Sequence, residues 1–138
     1  MFTAGLVTSF KQQILLGQHD LLNDVIKVAL YSSSAVLGPD TTVYTTSGEV
    51  TSSGYTAGGQ VLLSPTVSAG TGTGYATFAD PIWFHTTFSV RGALIYNYTK
   101  SNKAIGVMNF GTDQVTLNQD FKIQFPANNP ETALIRIT

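Results

Sequence analysis

Apolar and polar residues alternate along most of the chain beyond residue 24. The alternation is regular through 26–31, 88–96, 104–110 and 121–125. A period of two places the apolar side chains on one face of an extended strand, so these segments predict half-buried β-strands. Shorter segments rich in β-branched or aromatic residues are further candidates, at 61–63, 75–78, 82–84, 115–117 and 133–137. The pattern predicts about nine strands in all.

The N-terminal segment follows a helical period instead. Its apolar residues form one stripe at a spacing close to four, made of Phe2, Leu6, Val7, Phe10 and Ile14. This spacing predicts a short amphipathic helix that ends at Gly17. A helix this short is only marginally stable alone and needs a surface to pack on. That surface is either the protein's own sheet or a neighbouring subunit.

We expect residues 1–17 to form an N-terminal helix or arm and residues 18–138 to form a single β-domain. If the arm docks on a neighbour or on a larger partner, its interface residues are Phe2, Leu6, Val7 and Phe10. In that case Phe10→Asp leaves a folded protein that no longer binds. Loss of folding would instead place the helix in the protein's own core.

Turn-forming residues separate the predicted strands. They occur at 38–40, 58–59, 68–74, 98–102, 111–113 and 128–130, and the Gly-Thr run at 70–74 is predicted to be a flexible turn. Evenly spaced strands without a second helical pattern are typical of an all-β fold, either a β-sandwich or a jelly-roll-like barrel. The clearest hairpin joins FSVRGALIYN to KAIGVMNFG through residues 98–102. Segment 43–55 stays open between a strand, an irregular loop and a short helical turn.

Charged side chains make up only 11% of the chain, with seven basic and eight acidic residues, against about 25% in an average soluble domain. This balance lacks the basic footprint of a nucleic-acid-binding protein. A surface with little charge is poorly protected against association, which favours a homo-oligomer or cover by a partner. No apolar run reaches the ~18 residues of a membrane span, and the N-terminus lacks the basic region of a secretory signal. With no cysteine, disulfides and thiolate sites are excluded.

Candidate catalytic and metal-binding residues are few and scattered. His19 and His85 are the two histidines, and neither lies in a metal-binding spacing. Most carboxylates sit in predicted turns beside Gly or Pro, where Asp caps the backbone. Glu49 is the exception, because it lies in an otherwise uncharged stretch; it is either a buried carboxylate paired with Arg91 or an exposed loop residue. We therefore expect no catalytic residue, no metal site and no cofactor.

The aromatic residues offer one alternative, because flat rings bind sugars as well as packing in a core. Trp83 is the aromatic residue whose fluorescence a bound glycan would be expected to quench. Asn97-Tyr98-Thr99 matches the glycosylation sequon, a short pattern that also occurs by chance.

The chain resembles a family of small structural proteins of tailed phages and prophages. The resemblance extends over nearly the whole chain, through the strings FTAGLVTSFKQQILLGQHD, IKVALYSSSAVLGPDTTVY, GEVTSSGYTAGGQVL, FADPIWF, RGALIYNYTKSNKAIGVMNFG and FKIQFP. None of these strings is a chemical signature. The resemblance implies a virion protein, assembled in the cytoplasm of the bacterial host, and it favours a capsid decoration (cement) protein.

Such a protein would bind the major capsid protein, and a position on local symmetry axes favours a trimer. Two alternatives stay open: a tail or head-to-tail connector component of the virion, and a carbohydrate-binding module for host attachment. An enzyme is not expected; a glycosidase of this sequence would lose activity on changing Glu49 or Asp80.

Overall fold

A long β-hairpin forms the centre of the molecule in the computed structural model, which describes residues 1–138. The elements in chain order are β1 (Gly5–Leu6), α1 (Thr8–Leu15), β2 (Ile26–Tyr31), β3 (Gln60–Val61), β4 (Thr66–Gly70), β5 (Thr73–Thr77), β6 (Ile82–Thr86), β7 (Ser89–Asn97), β8 (Lys103–Val115), β9 (Gln119–Lys122) and β10 (Ile135–Ile137). Ten strands and one short helix confirm the all-β class. The strands form three separate sheets, none of which closes into a barrel.

The largest sheet has five strands in the order β1-β8-β7-β2-β3, and every pairing is antiparallel. The predicted hairpin is confirmed as β7 and β8, with Leu94 opposite Val107. Most of β7 from Gly92 onward is buried on both faces, which explains why its sequence is a nearly continuous apolar run. The turn uses Ser101 and Asn102, both with positive φ.

The other two sheets are small, a three-stranded one in the order β10-β5-β4 and a two-stranded one formed by β6 and β9. Strands β4 and β5 form a tight hairpin in which Gly70 pairs with Thr73. The two turn residues, Thr71 and Gly72, have φ values of 52° and 74°, as a type I′ turn requires. The run predicted to be a flexible turn is therefore the closed end of a regular hairpin.

The N-terminal segment joins the main sheet. Phe2 forms a parallel bridge with Leu37, and β1 extends the sheet by pairing with β8. Helix α1 follows, and the chain leaves it through Gly17, whose φ of 69° is the left-handed conformation common after a helix. The predicted helix is confirmed only over residues 8–15, since Phe2, Leu6 and Val7 of the predicted stripe lie before it in extended backbone. The part of the stripe that is helical faces inward, because Phe10 is fully buried.

Segment 43–55 is an irregular loop that runs beside the end of β2, on the side that faces away from β7. Glu49 forms an isolated bridge with Tyr31, and the Val50 N–H donates to the carbonyl of Leu30. Gly48 turns the chain beside Ala35 with a φ of 78°, and a Cβ atom there would stand 2.6 Å from the Ala35 Cβ. Of the three alternatives left open for this segment, the loop is confirmed.

Candidate functional site

The predicted interface residues belong to the protein's own core. Val7 and Phe10 are fully buried, Phe2 is nearly so, and Leu6 is half-buried. The Val7 N–H donates to the carbonyl of Ile105 on β8, which fixes the start of α1 on the main sheet. A neighbour could contact Phe2, Val7 and Phe10 only if the segment left the sheet, whereas Leu6 is partly accessible.

Among the apolar side chains that the fold leaves exposed, one group lies at the other end of the helix. Leu15 is 87% exposed and Leu16 is 63% exposed. Leu22 and Ile137 are also exposed and line an open groove of about 600 Å³ next to the helix end. We call Leu15, Leu16, Leu22 and Ile137 the helix-end surface. Sequence reasoning missed it because Leu15 and Leu16 lie off the stripe that identified the helix.

A buried cluster of hydroxyl groups surrounds Glu49, which is only 8% exposed. The Tyr44 hydroxyl donates to its Oε1 at 2.6 Å, and the Gly58 N–H donates to its Oε2 at 2.8 Å. The Tyr55 hydroxyl also donates to Oε2 and itself accepts a hydrogen bond from the Leu30 N–H. The carboxylate therefore has three donors and joins two turns of the loop to strand β2.

Two further tyrosines complete this cluster. The Tyr31 hydroxyl donates to the carbonyl of Thr45 at 2.7 Å, and the Tyr96 hydroxyl donates to the carbonyl of Gly58 at 2.6 Å. The rings of Tyr44 and Tyr96 stack with their centroids 4.8 Å apart. We call Glu49 with these four tyrosines the Glu49 cluster. Its hydrogen bonds hold an irregular loop against the main sheet.

The tyrosines of the Glu49 cluster are held in the protonated form. Burial raises the pKa of Tyr31, Tyr44 and Tyr55 well above the usual 10.0, and the negative charge of Glu49 raises it further. The same two causes, burial first, raise the pKa of Tyr96 to about 12. Such hydroxyls serve as hydrogen-bond donors to Glu49 and to the backbone.

The prediction for Glu49 is half right. The carboxylate is buried, as one alternative held, but Arg91 is not its partner. Instead, Arg91 Nε pairs with Asp113 Oδ1 at 2.9 Å on the surface of the β7–β8 hairpin. Asp80 accepts a hydrogen bond from the Phe125 N–H, which agrees with its interpretation as a backbone cap.

A second polar cluster, which we call the His19 cluster, lies where the chain enters β2 and consists of His19, Gln13, Asp24, Asn97 and Lys100. His19 is nearly buried; its Nε2 lies 2.8 Å from Gln13 Oε1, and its Nδ1 lies 3.0 Å from Asn97 Nδ2. Asn97 Nδ2 also donates to Asp24 Oδ2 at 2.8 Å, and Lys100 Nζ lies 3.1 Å from the same oxygen. An Asn97 donor facing Nδ1 requires a neutral His19 with its hydrogen on Nε2.

The pKa shifts in this second cluster agree with that arrangement. Burial lowers the pKa of His19, and Lys103 and Lys100 lower it further against the opposing charge of Asp24. For Asp24, burial alone would raise the pKa. The hydrogen bonds from Asn97, the Asp20 N–H and Lys100 outweigh burial and keep that pKa below its usual 3.8.

Three sequence-based candidates lose their basis in this geometry. Asn97 is fully buried with its side chain bonded internally, so the sequon offers no accessible acceptor. Trp83 is also buried and packs beside Tyr55 and Phe121, which removes it from any sugar-binding platform. The two histidines do not share a site: His19 lies beside Gln13 and Asn97, whereas His85 is on β6, where its backbone N–H donates to Asp120 Oδ1.

No group of three or more His, Asp or Glu side chains in the molecule is placed to hold a metal ion. The single helix of eight residues is too short to cross a membrane. The molecule is thus an all-β protein with two internal polar clusters and an exposed apolar surface at the end of its helix. Comparison of the chain with protein-family models, with curated proteins and with solved structures gives no match.

Proposed function

We propose that this chain is a structural protein of a tailed-phage virion, where it decorates the assembled head by binding the major capsid protein. The resemblance of the sequence to small phage structural proteins supports the virion as its location. The observation that carries the binding role is the helix-end surface, because exposed apolar side chains of this size, grouped beside a groove, mark interaction sites.

The buried N-terminal segment holds the helix-end surface in a fixed position. Phe2, Val7 and Phe10 anchor the segment in the core, so that Leu15 and Leu16 are presented at the end of a fixed helix. A pre-organised surface loses little conformational freedom on binding, which improves affinity. The four residues expected to form the interface would then act by positioning it.

A two-layer arrangement of the sheets is part of the proposal. Leu134 and Ile135, at the start of β10, line one cavity together with Ile95 and Ile105 of the main sheet. This proximity supports a β-sandwich in which the three-stranded sheet lies over the five-stranded one. Both sheets would then share the core that α1 closes at one end.

The Glu49 cluster and the His19 cluster support a structural role in a different way. The polar side chains that resemble catalytic groups most closely already have their hydrogen-bonding partners inside the molecule. A decoration protein needs only a stable shape and a surface. It binds the assembled lattice and not the free capsid subunit, so its binding free energy adds to the stability of the assembled head.

Copy number in purified particles tests the location. We expect the chain in particles of the phage that encodes it at a simple ratio to the major capsid protein, in hundreds of copies. Six to a few dozen copies would place it instead in the tail or the connector, which is the first alternative. Absence from the particle would refute the virion role.

Binding to heads that lack this protein tests the surface. We expect Leu15→Asp and Leu16→Asp to abolish co-sedimentation with such heads, since a charge in an apolar interface is left unpaired. Leu117→Asp is the matched control, because Leu117 is exposed to a similar degree outside the helix-end surface. If all three variants bind equally, the helix-end surface is not the site.

The carbohydrate-binding alternative now depends on other aromatic residues. Phe84 and Tyr98 are exposed, and the Lys27 ammonium lies 4.6 Å from the centre of the Tyr98 ring. Glycan-array binding that is lost in Phe84→Ala or Tyr98→Ala, together with absence from the particle, would favour this alternative over decoration.

A further inference from the structure

Strand β4 is an edge strand with no charge, proline or bulge within it, although Pro65 directly precedes it. Exposed edges are normally blunted by a charged residue, a proline, a bulge or a covering segment, since free backbone groups invite pairing with another chain. Strand β4 reads TVSAG, with no charged residue and no proline inside it. Every other strand longer than two residues carries Lys, Arg, Asp or His, except β5, which is interior to its sheet.

The edges of the main sheet, unlike β4, are covered in part by other segments of the chain. Beyond β1, the side of β8 is covered by the loop at 42–44, where the Ala104 N–H donates to the carbonyl of Thr42. The side of β2 that faces away from β7 is covered by β3 and by the loop whose Val50 N–H donates to the Leu30 carbonyl. The chain thus covers the outer sides of β2 and of the first half of β8, and it leaves β4 open.

The register of the hairpin identifies which groups are free. In a two-residue hairpin the residues flanking the turn, here Gly70 and Thr73, exchange hydrogen bonds. Because hydrogen-bonded and outward-facing residues alternate, Ser68 also bonds to β5 while Val67 and Ala69 direct their N–H and C=O groups outward. No hydrogen bond within the chain uses these outward groups.

We propose that two copies of the chain pair through β4 across a two-fold axis and form one continuous six-stranded antiparallel sheet. The axis passes between Ser68 and the partner's Ser68. The Val67 N–H then donates to the carbonyl of the partner's Ala69, and the Ala69 N–H donates to the carbonyl of the partner's Val67. The symmetry repeats both bonds, so every free group of the strand is satisfied.

Charge and side-chain size both favour a second copy as the occupant. A two-fold contact places the same strand on both sides of the interface, so charges of one sign on it would repel each other across the axis, whereas β4 carries no charge. Val67 is 54% exposed, and in this register it lies opposite the partner's Ala69, so a large side chain meets a small one. Val67 also lines the groove beside Leu22. Apolar contact along this groove would add to the area buried by the strands, since stable complexes bury roughly 800 Å² per partner.

A two-fold dimer differs from the trimer expected for a protein on local three-fold axes. On a capsid it would suit local two-fold axes instead. The dimer forms in solution whether or not the protein decorates a head. Leu22 borders both surfaces, but the variants that test the dimer, at residues 68 and 69, are distinct from those at Leu15 and Leu16. Failure of either proposal can therefore be told from failure of the other.

A single introduced cysteine tests the register, because the chain has none of its own. Residues directly opposite at a non-hydrogen-bonded position have Cα atoms about 4.5 Å apart, within the range of a disulfide. We expect Ser68→Cys to give a covalent dimer under mild oxidation. Thr66→Cys is the control on the same strand and face: in this register two copies of residue 66 are about 13 Å apart and do not cross-link.

Sedimentation velocity of the full chain tests the assembly itself. We expect a mass of two chains, and we expect Ala69→Pro to weaken the dimer by about tenfold or more, since it removes the outward N–H from both copies. The inward ladder of β4 is untouched, so the circular dichroism spectrum should not change. A monomer or a trimer at high concentration, or equal cross-linking of the two cysteine variants, would overturn the proposal.

Discussion

The ring of Phe2 occupies the place where a side chain on Gly92 would stand. A Cβ atom on Gly92 would lie 2.7 Å from ring atoms Cδ2 and Cε2 of Phe2 and 2.5 Å from the carbonyl oxygen of Met108. The absence of a side chain in the middle of β7 is therefore what lets the N-terminal segment lie on the main sheet.

We expect Gly92→Ala to destabilise the fold by about 1–3 kcal/mol, because the added methyl group displaces Phe2 or bends β7 away from β8. Urea unfolding followed by Trp83 fluorescence measures the change. Gly74→Ala is the control, since a Cβ atom on Gly74 meets nothing within 4 Å, and alanine in a strand costs less entropy than glycine. Equal losses in both variants would refute the packing argument.

Phe10→Asp is expected to prevent folding, with a loss of about 3–5 kcal/mol or more. Phe10 is fully buried in the core, so the carboxylate would have no partner there. Circular dichroism and thermal unfolding measure the effect. Leu15→Asp, on the exposed side of the same helix, should leave the stability within about 0.5 kcal/mol. A folded Phe10→Asp protein that fails to bind would restore the docking interpretation of the arm.

Glu49→Ala is expected to cost about 3–5 kcal/mol, since it leaves three buried donors without an acceptor. Glu49→Gln should cost less, because the amide oxygen can still accept from Tyr55 and Gly58 while the Tyr44 hydroxyl rotates to accept from the amide nitrogen. Denaturant titration compares the two variants. Glu131→Ala tests the other glutamate of the chain, which is exposed, and it should be neutral.

The Glu49 cluster also predicts loss of stability in alkali. The folded pKa values of Tyr31, Tyr44 and Tyr55 lie above the unfolded value of 10.0, so the folded state keeps protons that the unfolded chain releases. Stability should fall as the pH rises above 10.0. Ultraviolet titration should show these tyrosines ionising only as the protein unfolds, and Glu49→Gln should move that transition to lower pH. Ionisation of all six tyrosines in the folded protein would contradict this prediction.

The His19 cluster predicts a loss of stability in acid, where the Glu49 cluster predicts one in alkali. The pKa of His19 is lowered in the folded state, so the unfolded chain binds the proton first as the pH falls below the usual 6.5. Stability should therefore decrease from pH 6.5 downward. Asp24, whose pKa is also lowered, adds a further decrease below its usual 3.8. Thermal unfolding between pH 7 and 5 should lose this slope in His19→Gln; an unchanged slope would assign it to another group.

Local periodicity predicts much of this fold. The alternation at 26–31 becomes β2, the second half of the helical stripe becomes α1, and the hairpin of β7 and β8 forms around the predicted turn. These elements could be predicted because each one is encoded within a single stretch of sequence. The hairpin of β4 and β5 was missed as a unit, since TVSAG and TGYAT hold few large apolar residues and their turn shows its type only through backbone angles.

The partners of the polar groups could not be predicted in the same way. Glu49 accepts from Tyr55 and Gly58, which belong to a loop without any period, and the obvious candidate Arg91 lies elsewhere. His19 and Asn97 meet only because the fold brings them together. The helix-end surface was missed for a related reason: Leu15 and Leu16 lie off the stripe, and only the fold brings Leu22 and Ile137 close to the same end of the helix.

The pairing of β1 with β8 places Gly5 opposite Val107 and so joins two segments that lie far apart in the sequence. During synthesis, residues 5–15 have no β8 to pack on until that strand has been made. The main sheet is therefore completed late, and its assembly depends on contacts between distant parts of the sequence, which are slow to form. Until then the apolar side chains of α1 stay exposed, so folding in the cell should benefit from a chaperone that covers them.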